Sequence, residues 1–269
     1  MISATNTVRN VAAIALLCCA ITGCAPAGRD DVKTRVNPKD GADMVYVPAG
    51  DFLMGSNDEI GVKLGQSPQH KVYLDAYWIY KNDVTVAQYR KFCEATGWKM
   101  PKAPDWGWQD DGPAVNVSWD DARAYCGWAA TNLPTEAQWE KAARGTDGRT
   151  FPWGNDWDPG KLWWSIGVPG AAGRACAVGS YPGGASPYGC LDMAGNVWQW
   201  CADWYGEDYY AHSPARNPAG PATGVGRVLR GGSWYNHHVF NFRCASRLFN
   251  GIYERRSNYG FRCVVRAGG

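Results

Sequence analysis

The sequence predicts an irregular α+β fold, and three observations carry that expectation. First, 33 glycines stand beside 15 tryptophans and 14 tyrosines in 269 residues. That pairing favours tight turns and large ring contacts over long helices. Second, the clear helix-start signals fall in three short segments in the first half of the chain. Third, everything after Gly148 is punctuated by Gly, Pro and Asn, with only brief apolar runs between them. Such runs read as short strands joined by long ordered loops.

The N-terminus is set aside from the fold. Arg9 is the only charged side chain before the apolar run 11–21. That run is well short of the ~20 residues a membrane-spanning helix needs. It ends in Ile21-Thr22-Gly23-Cys24, followed by small residues and then charge. The pattern describes an export signal over 1–23, and Ile-Thr-Gly-Cys resembles a bacterial lipobox that would leave Cys24 acylated. Residues 24–41 then read as a polar tether and 42–269 as one domain. The expected location is the outer surface of a bacterial membrane, held by lipid.

The three helices follow from capping chemistry. Thr85 with Gln88, Ser118 with Asp121, and Thr135 with Gln138 each place a hydroxyl before the helix and a reciprocal acceptor three residues on. They predict helices over 86–95, 119–130 and 136–144, with Gly97 and Gly145 as stops. The inward faces would carry Tyr89, Phe92 and Cys93 in the first, and Ala122, Cys126 and Ala129 in the second. Runs at 196–200, 227–229 and 261–265 are the strand candidates.

Charge and cysteine content narrow the function. With 27 Lys+Arg against 25 Asp+Glu, a net charge of +2 gives no bulk field for a nucleic acid. Beyond Cys24 lie Cys93, Cys126, Cys176, Cys190, Cys201, Cys244 and Cys263, with no CxxC pair. Zinc-ribbon and thioredoxin readings therefore lack support, and an odd count leaves at least one thiol unpaired.

Several motifs, in order, resemble a known family. They are Met44-Val45-Tyr46-Val47-Pro48-Ala49-Gly50 with Phe52-Leu53-Met54-Gly55-Ser56, then Val84-Thr85 with Gln88-Tyr89, Val117-Ser118-Trp119, and Leu133-Pro134-Thr135-Glu136-Ala137-Gln138-Trp139-Glu140. Pro152-Trp153-Gly154, Gly195-Asn196-Val197-Trp198, Arg230-Gly231-Gly232-Ser233-Trp234 and Gly260-Phe261-Arg262 complete the set. This order is similar to the formylglycine-generating enzyme (sulfatase-modifying factor) family. The resemblance implies a C-type-lectin-like fold with little regular secondary structure. It also implies a disulfide between Cys126 and Cys263.

Activity is a separate question from fold. The family's oxidases use two cysteines shortly after the Gly-Gly-Ser motif, as soft thiolate ligands for Cu(I). Here 235–243 holds no cysteine, and Asn236, His237, His238 and Asn241 occupy the stretch. Cys244 matches a structural cysteine whose usual partner position is Ala143. Adjacent His237 and His238 would point to opposite faces of an extended segment and so not share a metal. Some members bind calcium through an Asn-x-Trp-Glu segment. Here the acid is replaced by Gln199, so the resemblance implies at most a weak calcium site at Asn196 and Gln199. No other cofactor is expected, and the chain reads as not an enzyme.

The interval 235–259 departs most from the family pattern. It mixes Asn, His, Tyr, Phe and Ser without a period of 2 or 3.6, which argues for a recognition surface over a packed core. The expected contacts are Tyr235, Asn236, His237, His238, Phe240, Asn241, Phe242, Ser246, Leu248, Phe249, Asn250, Tyr253, Asn258 and Tyr259. Most of these residue types are reachable from the codon AAC by changing its adenines, with Glu254 an exception that would be invariant. That pattern resembles the variable proteins of diversity-generating retroelements, whose lipoprotein members are displayed on bacterial surfaces. The expected partner is a protein or cell-surface ligand met by a diversified site. Two alternatives stand: an accessory lipoprotein without diversification, and a metal-dependent enzyme related to the oxidases.

Overall fold

The computed structural model describes Met1, residues 32–164 and residues 173–268. The export signal and the acylation expected at Cys24 lie outside the described residues. All three capping boxes form. The helices run Val86–Thr96 (α2), Trp119–Trp128 (α3) and Glu136–Arg144 (α4). In α2 the Thr85 hydroxyl accepts from the Gln88 amide while the Gln88 side chain accepts from the Thr85 amide. Gly97, left-handed at φ 75°, then ends the helix. A five-residue helix, Glu59–Lys63 (α1), has no counterpart among the sequence signals. One turn at Tyr209–His212 (α5) lacks a side-chain cap.

The strands form two four-stranded sheets and a hairpin. The first sheet orders Thr34–Val36 (β1), Asp43–Val47 (β2), Tyr77–Tyr80 (β5) and Val264–Arg266 (β10), all antiparallel. Gly50–Met54 (β3) pairs with His70–Leu74 (β4). The second sheet orders Arg247–Asn250 (β8), Arg227–Arg230 (β7), Trp198–Trp204 (β6) and Tyr259–Gly260 (β9). The β6 strand begins two residues later than expected because Asn196 sits at φ 57° and turns the chain.

Two apolar clusters support this frame. Tyr89 and Phe92 of α2 meet Tyr125 of α3, Trp200, Tyr259 and Phe261 in one. The Tyr89 and Tyr125 rings stack at 5.8 Å. The other gathers Val45, Val47, Ile79, Trp139 and Val228 against α4, with Ala143 and Cys244 inside it. The sulfurs of Cys126 and Cys263 face each other 3.4 Å apart, both buried.

Buried charge ties the clusters together. Arg230 pairs with Glu140 and Glu136, and Arg247 with Glu136, all essentially excluded from water. Backbone carbonyls accept further bonds from the same guanidinium: Arg230 donates to Ala245 at 3.0 Å and Cys244 at 2.7 Å. Arg262 spans Asp83, Gln199 and the carbonyls of Tyr80, Lys81 and Leu191. Buried ions persist only when paired and hydrogen-bonded in this way.

Two expectations change. The domain begins near Val32 instead of 42, because Thr34–Val36 pairs with β2 and both Asn37 and Asp40 are buried. The interval 235–259 is also less open than its composition implies. Phe242 is fully buried against Trp157 and Trp164, Ser246 is buried, and Tyr259 lies in the aromatic core. These three are packing residues and are out of a partner's reach.

Candidate functional site

The loop after the Gly-Gly-Ser motif is built on a turn that only glycine fits. A Cβ on Gly232, at φ 75°, would lie 2.7 Å from Phe242 Cδ1 and 2.9 Å from the Asn241 carbonyl. Ser233 follows, donating from its amide (2.8 Å) and its hydroxyl (3.0 Å) to the Asn236 side-chain oxygen. Asn258 donates to the same hydroxyl at 3.1 Å. Asn236 and Asn258 therefore shape the loop, as Asx turns do elsewhere. Asn241 does likewise, donating from backbone and side chain to the His238 carbonyl.

Rings project from this frame. Trp106 meets Trp234 edge-on at 5.6 Å, Trp234 meets Tyr235 at 5.5 Å, and Tyr235 meets His237 at 5.8 Å. The rings of His238 and Phe240 stack at 5.0 Å. Tyr235 is 60% exposed, and both histidines are exposed. Edge-on and stacked contacts hold such rings in place without burying them, which lowers the entropic cost of binding.

The remaining predicted contacts lie elsewhere. Phe249, on the outer strand β8, stacks on Tyr205 at 4.3 Å, and Tyr253 stands 79% exposed in the following turn. Leu248 packs against the aromatic core, and Asn250 donates to the Tyr259 hydroxyl. Among the described residues no ring contact joins Phe249 or Tyr253 to the 235–240 loop. The predicted surface is therefore two places.

One wall of the loop was missed by sequence reasoning. Trp106, Trp108 and Trp163 pack with Val115, Ala175, Val197 and Trp234, and a shallow pocket opens between Trp106, Trp108, Gln109 and Ala175. The clustering of tryptophans at 106–108 and 163–164 was the available signal. Cys176 lies beside this wall, its amide donating to Asn196. Burial first, and then the Asp192 carboxylate, push its thiol up to about 12, so it stays protonated at neutral pH.

The Asn196–Gln199 calcium reading does not fit the geometry. The Gln199 side-chain oxygen accepts from Trp139 Nε1 at 2.6 Å and from Arg262 Nε at 2.7 Å. Its amide nitrogen donates to the Asp192 carbonyl at 2.6 Å. An oxygen already facing a guanidinium is a poor calcium ligand. The Asn196 oxygen is likewise turned to the Cys176 amide. Among the described residues, no three His, Cys, Asp or Glu side chains gather as metal ligands.

Comparison with known proteins agrees with this frame. The pattern of the sulfatase-modifying factor enzyme 1-like domain matches residues 29–267. The formylglycine-generating enzyme of Streptomyces coelicolor is 33% identical, over 91% of this chain and 96% of its own length. The solved structure of PvdO from Pseudomonas aeruginosa superposes with a TM-score of 0.77 at 26% identity, covering 87% of this chain and 98% of that one. Treponema denticola variable protein 1 superposes with a TM-score of 0.71 at 24% identity, covering 88% and 100%. At that identity it supports the C-type-lectin-like fold alone.

These findings correct the expectation that the chain is not an enzyme. A relative one-third identical along nearly the whole chain is itself named an enzyme. The missing cysteine pair speaks to one oxidase chemistry and does not decide catalysis as such. From its motifs, its fold and this likeness, the chain belongs to the sulfatase-modifying factor enzyme 1-like family.

Proposed function

We infer that the chain is an exported, lipid-anchored member of this family that works on a polypeptide held against the 235–240 loop. The rings of Tyr235 and Phe240 supply contact area, and His237 and His238 supply the polar, proton-transferring groups. One observation carries this reading: a glycine-dependent turn fixed by Ser233, Asn236 and Asn258 presents exposed rings where the family's oxidases keep their cysteines. Where thiolates are replaced by imidazoles, chemistry at the loop becomes acid–base chemistry.

The first test is peptide-library capture by the purified chain, followed by mass spectrometry of the captured peptides for a change in covalent structure. The reading expects capture that is lost in a Tyr235→Ala, Phe240→Ala variant, and turnover that is lost in His237→Ala, His238→Ala. Capture without any chemical change would leave only the recognition half. No capture would sink both halves. Mass spectrometry of membrane extracts would show whether Cys24 is acylated.

A second reading adds diversification of the site. It is favoured by the codon-reachable residue types between 235 and 259, which resemble those of retroelement-diversified proteins. Burial sharpens it: Phe242, Ser246 and Tyr259 should stay constant while Tyr235, His237, His238, Phe249 and Tyr253 vary. Deep sequencing of codons 228–265 with their flanking DNA decides this. A uniform sequence with no template copy nearby would remove the reading.

A further inference from the structure

The segment that leads into the domain carries a surface that neither the ligand loop nor the fold uses. Lys33 and Arg35 sit on β1 and its approach, and Lys39 follows in the next turn. Each cation lies over an aromatic ring of the body. Lys33 Nζ is 5.4 Å from the Tyr46 centroid, Arg35 Cζ is 4.8 Å from that of Trp78, and Lys39 Nζ is 5.4 Å from that of Trp128. Among the described residues, none of the three has a carboxylate within 4.0 Å, while most other arginines here are ion-paired. Val32 and Val36, 41% and 57% exposed, flank Lys33 and Arg35 in the chain. The one acid on the β1–β2 ladder is Asp43, opposite Val36.

This strap is rigidly held. Asn37 donates to the Tyr80 hydroxyl (2.7 Å) and to the Ala129 carbonyl (3.0 Å). Tyr80 and Tyr125 both donate to the Asp40 carboxylate, at 2.7 and 2.5 Å. The cations are therefore presented on a fixed frame, with ring systems beneath them.

We propose that this strap, with Lys33, Arg35, Lys39, Val36 and the rings of Tyr46, Trp78 and Trp128, is a docking face for an anionic phospholipid bilayer. Its position rests on the lipid-anchor reading. Seven residues lie between Cys24 and Val32, and the eight steps span at most about 29 Å when fully extended. A lipid on Cys24 would therefore keep this face close to the headgroups. Unpaired Lys and Arg are drawn to anionic headgroups, while Tyr and Trp suit the interface. Three cations at about fivefold each favour the anionic surface roughly 100-fold.

The experiment uses the full chain with vesicles of phosphatidylcholine alone, or of phosphatidylcholine mixed with phosphatidylglycerol. Amine-labelling of lysines is read by mass spectrometry, with exposed Lys63 on α1, which lies over none of the rings of this face, as an internal reference. The proposal expects labelling of Lys33 and Lys39 to fall severalfold on the anionic vesicles only, and to recover at high salt. An Arg35→Gln, Lys39→Gln variant with an unchanged melting temperature should lose the protection of Lys33. Equal labelling on both vesicle types overturns the proposal. Protection by anionic vesicles in a chain lacking an acyl group on Cys24 would show that the face binds without the anchor.

Discussion

Arg230 and Tyr235 are five residues apart and answer to opposite constraints. Arg230 is wholly buried and held by Glu140, Glu136 and two carbonyls. Tyr235 is mostly exposed and held only by ring edges and a short amide turn behind it. A buried ion cannot lose its partner without leaving uncompensated charge in a low-dielectric interior. An exposed ring on a preformed turn can be exchanged without touching the core. The molecule thus separates a frame that tolerates little change from a face that tolerates much.

The sharpest way to break this contrast is to unpair the frame. Glu140→Ala takes one of the two buried carboxylates from Arg230, removes the carboxylate paired with Arg144, and leaves the Gly55 amide without its acceptor. Denaturant unfolding should show a loss of about 3–5 kcal/mol. A loss within experimental error would mean that the buried ions do not organise the frame. Next comes the hinge between the two regions. Gly232→Ala meets both a positive φ and the Phe242 ring, and about 1–3 kcal/mol of strain is expected in the same assay. If the variant is as stable as the parent, the turn is softer than the comparison requires.

A pH series separates the regions further. Burial, then the neighbouring Glu136, raise the Asp203 carboxyl to about 8. A raised folded-state value means that its stabilising contribution is present below the unfolded value near 4 and is lost as pH climbs through about 8. The melting temperature should fall across that window, and Asp203→Asn should flatten the slope. An unchanged slope in the variant would assign the pH dependence to other groups. The smallest effect belongs to the face: Tyr235→Ala should change stability by less than about 0.5 kcal/mol while reducing ligand capture. A large loss of stability there would make the loop part of the frame.

How much of this was legible depended on the range of the interaction. The three capped helices were readable because a cap and its reciprocal acceptor lie three residues apart. The C-type-lectin-like fold was readable from motif order, since the motifs mark turns and packing positions along the chain. The exposed rings of Tyr235, His237 and His238 were readable from a composition that no buried period could use.

Other features were settled only in three dimensions. Arg247 and Glu136 are 111 residues apart, and Gln199 and Arg262 are 63 apart. Nothing local in either sequence segment announces its partner. The strap residues Asn37 and Asp40 looked like tether because their partners, Tyr80 and Tyr125, come much later in the chain. Phe242 and Tyr259 looked like contacts because their ring neighbours, Trp157 and Trp200, are supplied from distant loops. The sequence by itself determined the turns, caps and rings, since those depend on a few adjacent residues. Tertiary structure decided which rings and charges are buried, because burial depends on what the rest of the chain places on top of them.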